Sequence, residues 1–349
     1  MINKGRMAEL KTIRTLILVF VTLAFIGCNE LKETQPSPAV QTPPEKEKVF
    51  LTVDFQQGKK LRYKFVSNRN ITVDWGTTKK GSKTSRNIKR SSERAEMVFS
   101  YRPVEVDTYG LTTIEVKCES VKTNRSGTST TSRDALRHLR GKTFTLKINA
   151  VGAIKDYSSL RELAYQVGEK AFRDNTTSRR IKDPDMVRDF IATQWFLWDT
   201  ISSVPKPSEG LREGQTWQSQ LSVPLPMLIK PARDVVYTLK QIKENEKGKI
   251  AVIKSTYSLG EPIPKRWPLP YEGSFMMSGQ FGFFTRYKVL SLKGSGEQLF
   301  DIEAGRIERD RQNYSVELET SSPMLQGKSE EPKPKTIIRQ SITMTMLED

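Results

Sequence analysis

From Val49 onward the chain alternates short β-rich runs with turn signals. In "TIIRQSITMTML", Ile338, Ile342, Met344 and Met346 share one parity, interrupted by Gln340. Apolar residues at every second position mark an antiparallel strand with one solvated face. Similar reasoning predicts strands at 49–55, 60–66, 70–75, 95–106, 111–118 and 143–150. It predicts further strands at 234–242, 249–259, 286–293, 298–302, 306–318 and 336–347.

Two segments change period. In 158–172, Ser159 stands three residues before Glu162, a capping-box spacing, and Leu160, Leu163, Ala164, Val167 and Ala171 recur on one helical face. In 183–200, Asp183 is placed to cap and Pro184 occupies the first turn, where a missing N–H is harmless. Val187, Phe190, Ile191, Phe196 and Trp198 then form an apolar stripe with Trp195 alongside. The predicted fold class is α+β, mainly antiparallel β.

An internal echo suggests how the strands are grouped. "LKINAVGAIKD" and "LFDIEAGRIER" share a strand, a glycine two residues before an isoleucine, and a second strand. Gly152 and Gly305 would supply the positive φ that such hairpins need. The expectation is two related β lobes, 49–155 and 208–349, around a central helical segment at 156–207.

The first 48 residues follow different rules. Lys4, Arg6, Lys11 and Arg14 precede an uncharged run, 16–26, that is shorter than the roughly 20 apolar residues of a membrane span. The run ends in Phe25-Ile26-Gly27-Cys28, which resembles the lipobox of bacterial lipoproteins. The usual pattern has Leu at the position of Phe25 and Ala or Ser at that of Ile26. The resemblance implies cleavage before Cys28 and lipidation of its sulfur; an ordinary signal peptide with an incidental cysteine is the alternative. Two or more acyl chains make a stable anchor where one is marginal. Residues 28–48, with Pro36, Pro38, Pro43 and Pro44 and little apolar bulk, read as a disordered tether.

Removing residues 1–27 leaves 322 residues and lowers the net charge from +17 to +14. Such a charge suits anionic surfaces, or simply a soluble one. With Cys28 acylated, Cys118 has no disulfide partner and reads as a buried thiol in a strand.

"GKTFTLKINAVGAIKDYSSLRELA", "EGLREGQTWQSQLSVP" and "GSGEQLFDIEAGRIERDR" together resemble a family of uncharacterised bacterial envelope proteins. The resemblance spans about residues 50–349 and implies a β-rich exported domain without a known activity.

Catalytic constellations are not visible. His138, the single histidine, sits between Arg137 and Arg140 with no acid to orient it. One histidine and one free cysteine do not make a zinc site, so no metal and no cofactor are expected. "GSGEQL" has the wrong spacing for a nucleotide fingerprint, and Asp301 and Glu303 alternate along a strand.

Two stretches offer contact surfaces. Lys79, Lys80, Lys83, Arg86, Lys89, Arg90 and Arg94 fall in a Ser- and Gly-rich segment, expected to be a loop between strands. It reads as a solvated loop or as a polyanion site. No aromatics interleave for base stacking, and export disfavours nucleic acid as a partner. Trp267, Tyr271, Phe275, Phe281, Phe283 and Phe284 crowd a segment broken by Pro and Gly. With Trp195 and Trp198 they read as core, as a partner interface or as the lining of an apolar-ligand cavity.

The functional expectation is a lipid-anchored envelope protein that binds or scaffolds without catalysis. Its partners would be the membrane, through the N-terminal lipid, and envelope proteins, lipids or anionic envelope polymers. The alternative is a carrier of lipid or another apolar ligand beneath a curved sheet. An unusual hydrolase would need an acid/base pair that the sequence does not display.

Overall fold

The structure is a computed structural model. It describes residues 47–80, 83–126, 135–160, 162–163, 166–167, 194, 197–222, 232–246, 248–260, 286–321 and 333–348. Cys28, the signal segment, most of the tether, Trp195, Trp267, Tyr271, Phe275, Phe281, Phe283 and Phe284 lie outside these residues.

Thirteen strands are formed among the described residues. They are β1 (Lys48–Val49), β2 (Leu61–Lys80), β3 (Lys83–Val106), β4 (Thr112–Ser126), β5 (Thr143–Ile148), β6 (Ile154–Asp156) and β7 (Leu211–Arg212). After them come β8 (Thr216–Ser222), β9 (Ala232–Asn245), β10 (Gly248–Leu259), β11 (Arg286–Asp301), β12 (Arg306–Ser321) and β13 (Lys335–Leu347). β1 pairs with β7, and the other 11 strands form one antiparallel sheet in the order β6-β5-β4-β3-β2-β13-β12-β11-β10-β9-β8.

This sheet corrects the expectation of two lobes. The C-terminal strand β13 pairs with β2 along its whole length, from Lys335↔Asp74 to Leu347↔Arg62. The N-terminal and C-terminal strand sets are therefore two halves of one sheet, and Lys46–Asp349 is a single compact unit. A pairing between residues more than 260 positions apart leaves no trace in local periodicity.

The hairpin echo is real and has a shared purpose. Gly152 and Gly305 both adopt positive φ, 77° and 59°, at the turns of β5–β6 and β11–β12. Both turns dock on the same segment: Val53 N–H donates to Ala150 O at 2.8 Å, and Asp54 N–H donates to Gly305 O at 3.0 Å. A Cβ on Gly305 would lie 2.5 Å from the Asp54 nitrogen, so only glycine allows that approach. The strand expected at 49–55 does not continue as a ladder strand beyond Val49. Instead Leu51, Val53 and Phe55 alternate into the core while the backbone of this segment serves the two turns.

One face of the sheet holds the core. On β2, Leu61, Tyr63, Phe65, Ile71 and Val73 are buried on a single parity, opposite Met97, Phe99 and Tyr101 of β3 and Ile338, Ile342 and Met344 of β13. Helical residues cover this inner face. Leu160, Leu163 and Val167 from 158–167, and Leu197, Trp198 and Ile201 from 194–202, are all buried in the same cluster. Trp198 packs edge-on against Phe55, with ring centroids 5.3 Å apart, so it is a core residue.

The second helical stretch is also pinned by polar groups. Tyr101 OH donates to Gln194 Oε1 at 2.5 Å, Trp217 Nε1 to Thr200 O at 3.0 Å, and Gln298 Nε2 to Leu197 O at 3.1 Å. Tyr237 OH and Ser219 Oγ donate to the two carboxylate oxygens of Asp199, at 2.7 and 3.0 Å. Those bonds fix the helix on β3, β8, β9 and β11.

Candidate binding surfaces on the two faces of the sheet

The inner face is not uniformly apolar. Ser67 and Arg69 interrupt the buried parity of β2, and Glu93, Gln340, Gln312, Asp310, Gln298, Ser255 and Arg233 do the same on other strands. Register brings them into one belt. A single cross-strand row runs Glu93–Arg69–Gln340–Tyr314–Gly294–Tyr257.

Within the belt the donors and acceptors engage one another. Arg69 is 1% exposed; its Nη1 donates to Glu93 Oε2 and its Nε to Gln340 Oε1, both at 3.2 Å. Gln340 Nε2 then donates to Ser67 Oγ at 3.2 Å. Further along, the equally buried Arg233 lies 4.7 Å from the Tyr257 ring centroid and 5.7 Å from that of Tyr314. Its Nη2 donates to Gln312 Oε1 at 3.1 Å, and Gln312 Nε2 donates onward to Asp310 Oδ1 at 2.9 Å. Gln298 Nε2 reaches Asp310 Oδ2 at 3.1 Å.

Burial pushes the Asp310 carboxyl up to about 6, against the pull of Gln312, Gln298 and Arg233. Asp199 is raised by burial as well, despite Tyr237 and Ser219. Thr200, Arg233, Tyr237, Ser255, Tyr257, Gln298, Asp310 and Gln312 surround a cavity of about 10 Å³, with Ile253. That volume admits at most one water.

The glycines of "GSGEQL" belong to this packing. A Cβ on Gly294 would lie 2.4 Å from Asn313 O and 2.8 Å from Tyr257 Cδ2; one on Gly296 would lie 2.3 Å from Tyr257 Oη. Tyr257 thus lies across β11 where two side chains are missing. Asp301 likewise serves the fold, accepting the Ala304 N–H at 2.8 Å in the β11–β12 turn. Cys118 is buried beneath the sheet, its thiol pushed up to about 12 by burial and then by Glu119.

The outer face presents a different arrangement. An open groove of about 460 Å³ crosses β2, β13, β12 and β11. Its outward side chains come from Asn68, Asn70, Arg339, Ser341, Asn313, Ser315, Lys293 and Ser295. Two adjacent rows line it. One runs Ser295–Asn313–Ser341–Asn68, and the other Lys293–Ser315–Arg339–Asn70.

Acids near the groove are already engaged. Glu297 holds Lys254 and Arg309, Glu96 holds Lys64 and Arg94, and Glu317 lies 3.9 Å from Lys335. Farther off, a bulge at Glu119 turns that carboxylate outward onto Lys60 and Arg62, which hold it down at about 2. By contrast, Lys293 and Arg339 are exposed and make no ion pair with a described residue. Periodicity holds no hint of this groove, because each residue is an ordinary solvent-side residue of its own strand.

The predicted basic loop is corrected. The backbone of Lys79, Lys80 and Lys83 lies in the long β2–β3 hairpin, paired through Lys79↔Thr84 and Lys80↔Lys83. After a register shift between Asp74 and Thr77 the ladder resumes from Thr77↔Arg86 to Lys80↔Lys83, so the segment extends the sheet. Arg86 is bound to Asp74, and Lys89 lies 6.0 Å from the Trp75 ring centroid. Arg90, opposite Thr72, shares the outward parity of Ser92 and Arg94. Of the hairpin cations with described side chains, Arg86, Lys89 and Arg94 have separate partners, and Arg90 neighbours the groove without an ion pair to a described residue.

Among the described residues no group of three or more His, Cys, Asp or Glu side chains could hold a metal, and no helix is long and apolar enough to cross a membrane. No family model matches the chain, and no curated protein matches it. Among solved structures, a lipovitellin structure titled for lipid–protein interactions shares 12% identity at a TM-score of 0.43. That match covers 84% of this chain, which spans 26% of the lipovitellin chain. An outer membrane channel from Pseudomonas putida F1 shares 7% identity over 88% of this chain and 99% of its own, at a TM-score of 0.17. Pseudomonas aeruginosa OpdQ shares 8% over 82% and 97%, at 0.13. Likenesses at these scores carry no functional weight.

Proposed function

We propose that the protein is a lipid-anchored, non-catalytic binding module of the bacterial envelope, held through Cys28, with the outer groove as its ligand-contacting surface. The observation that supports the groove most directly is the contrast in ion pairing. Neighbouring acids are engaged by other cations, while Lys293 and Arg339 stand exposed in a bed of hydroxyl and amide groups. Exposed cations and hydrogen-bonding groups along an open groove are what a ligand can use. The lipobox resemblance of residues 25–28 supports the anchor.

A second reading, the carriage of lipid or another apolar ligand, draws on the apolar end of the inner face. There Tyr63, Phe65, Met97, Phe99 and Phe144 lie in the cluster that the helical residues join. Lipid recovered by mass spectrometry from the purified protein, beyond its own N-terminal modification, would favour that reading.

The anchor and the groove are tested on the full chain. Cys28→Ala should leave the precursor unprocessed or release the protein from membranes. Normal processing with full membrane retention would remove the anchor from the proposal. In the released Cys28→Ala protein, Asn313→Trp should fill the groove and reduce retention on isolated envelope polymers. Unchanged retention of that correctly folded variant would remove the groove.

A further inference from the structure

The two rows of the groove differ in chemistry, and their spacing describes a ligand. Lys293 and Arg339 occupy the same row with Ser315 between them, so they stand two strand spacings apart, about 9–10 Å. Asn70 continues that row on β2. The parallel row of Ser295, Asn313, Ser341 and Asn68 carries no charge, only hydroxyl and amide groups. Asn68 is oriented by Arg94, whose Nη1 donates to Asn68 Oδ1 at 2.8 Å. A chain laid across the strands would meet a cation at two separated points and hydroxyl or amide partners throughout.

Building on the groove as the contact surface, we infer that it binds a linear polysaccharide whose sugars carry carboxylates. The Arg339 guanidinium offers a planar fork suited to a carboxylate, and Lys293 a point charge. The Ser and Asn side chains both donate and accept, as sugar hydroxyls do. The groove crosses four strands, roughly 14 Å, which is long for a single small anion.

Nucleic acid fits this surface less well. Its readers stack bases on aromatic rings, and Tyr314, the one aromatic among the described residues lining the groove, is buried with its ring beside Arg233. A lipid surface fits less well too, because the exposed large apolar residues, such as Tyr109, Val106 and Leu259, do not line the groove.

The test uses the full-length Cys28→Ala chain and calorimetric titration with oligomers of polygalacturonate. The methyl ester of the same polymer is the uncharged control, and phosphatidylglycerol vesicles are the membrane control. Binding to polygalacturonate but not to its ester is expected. Lys293→Gln with Arg339→Gln should weaken it about tenfold while thermal stability stays unchanged. Arg102→Gln with Lys206→Gln removes the same charge from exposed pairs elsewhere and should leave binding unchanged.

Equal affinity for the ester, equal loss in both double variants, or binding to vesicles alone would overturn the inference. Failure here is separable from failure of the groove itself. If Asn313→Trp abolishes envelope retention while polygalacturonate does not bind, the groove stands and the polysaccharide assignment falls.

Discussion

The two faces of this sheet are built from the same vocabulary of Arg, Asn, Gln, Ser and Thr, and they use it in opposite ways. Beneath the sheet, Arg69 is met by Glu93 and Gln340, and Arg233 by Gln312 and two tyrosine rings. Above it, Lys293 and Arg339 meet no acid among the described residues, although Ser315, the residue between them, belongs to the same ladder. A buried polar group without a partner is costly, so the interior favours networks that are largely closed, with Gln298 Oε1 an exception in the belt. Water satisfies an exposed group, so openness outside costs little and leaves chemistry available. Closure marks structure here, and openness marks contact.

The largest consequence falls on the inner face. Arg69→Met removes from the buried Glu93 carboxylate the guanidinium that donates to it. Removing one member of a buried pair typically costs about 3–5 kcal/mol. Replacing both, Arg69→Met with Glu93→Met, should recover much of that loss, because two apolar side chains need no partners. Denaturant unfolding of the three variants measures the cycle. A double variant as unstable as Arg69→Met alone would mean that the belt is held by packing and not by closure.

A smaller effect should appear with pH. Asp310 titrates at about 6 in the fold, above the ordinary carboxyl value of about 4. The folded state therefore binds a proton more tightly than the unfolded chain. That contribution is fully present below about pH 4 and is lost as pH rises through about 6. The rise corresponds to at most about 3 kcal/mol. In Asp310→Asn one amide N–H must face the N–H donors of Gln312 or Gln298, losing about 1 kcal/mol of hydrogen bonding. The variant should melt below the wild type at pH 4, and the gap should close and then reverse as pH rises through about 6. Parallel melting curves across that range would show that Asp310 does not titrate within the belt.

The inner belt was partly legible in the sequence, and the groove was not. Leu61, Tyr63, Phe65, Ile71 and Val73 keep one parity through Ser67 and Arg69, which signals one strand with two buried polar residues. Divided into two shorter strands, 60–66 and 70–75, that stretch hides Arg69. On β12 the apolar parity switches between Ile307 and Tyr314; a bulge at Glu308 makes the switch and turns Asp310 and Gln312 inward. Gln340 is visible as an interruption, but its partner stands 271 residues away in sequence. The groove needs register across four strands, and no single strand carries register information beyond its own parity. The division into lobes failed for a related reason, since β2–β13 pairing is set by the whole sheet.

The smallest effect is the sharpest check on the contrast. Asn313 and Ser315 point outward, away from the side chains that close the belt. Asn313→Ala with Ser315→Ala should therefore change stability by no more than about 0.5 kcal/mol, as surface substitutions do. The two residues sit opposite Ser341 and Arg339, so the same variant removes hydroxyl and amide partners from the middle of the groove. Ligand retention should drop while the melting temperature holds. A large loss of stability would mean that the outer rows are also a closed structural network, and the distinction between the two faces would lose its functional meaning.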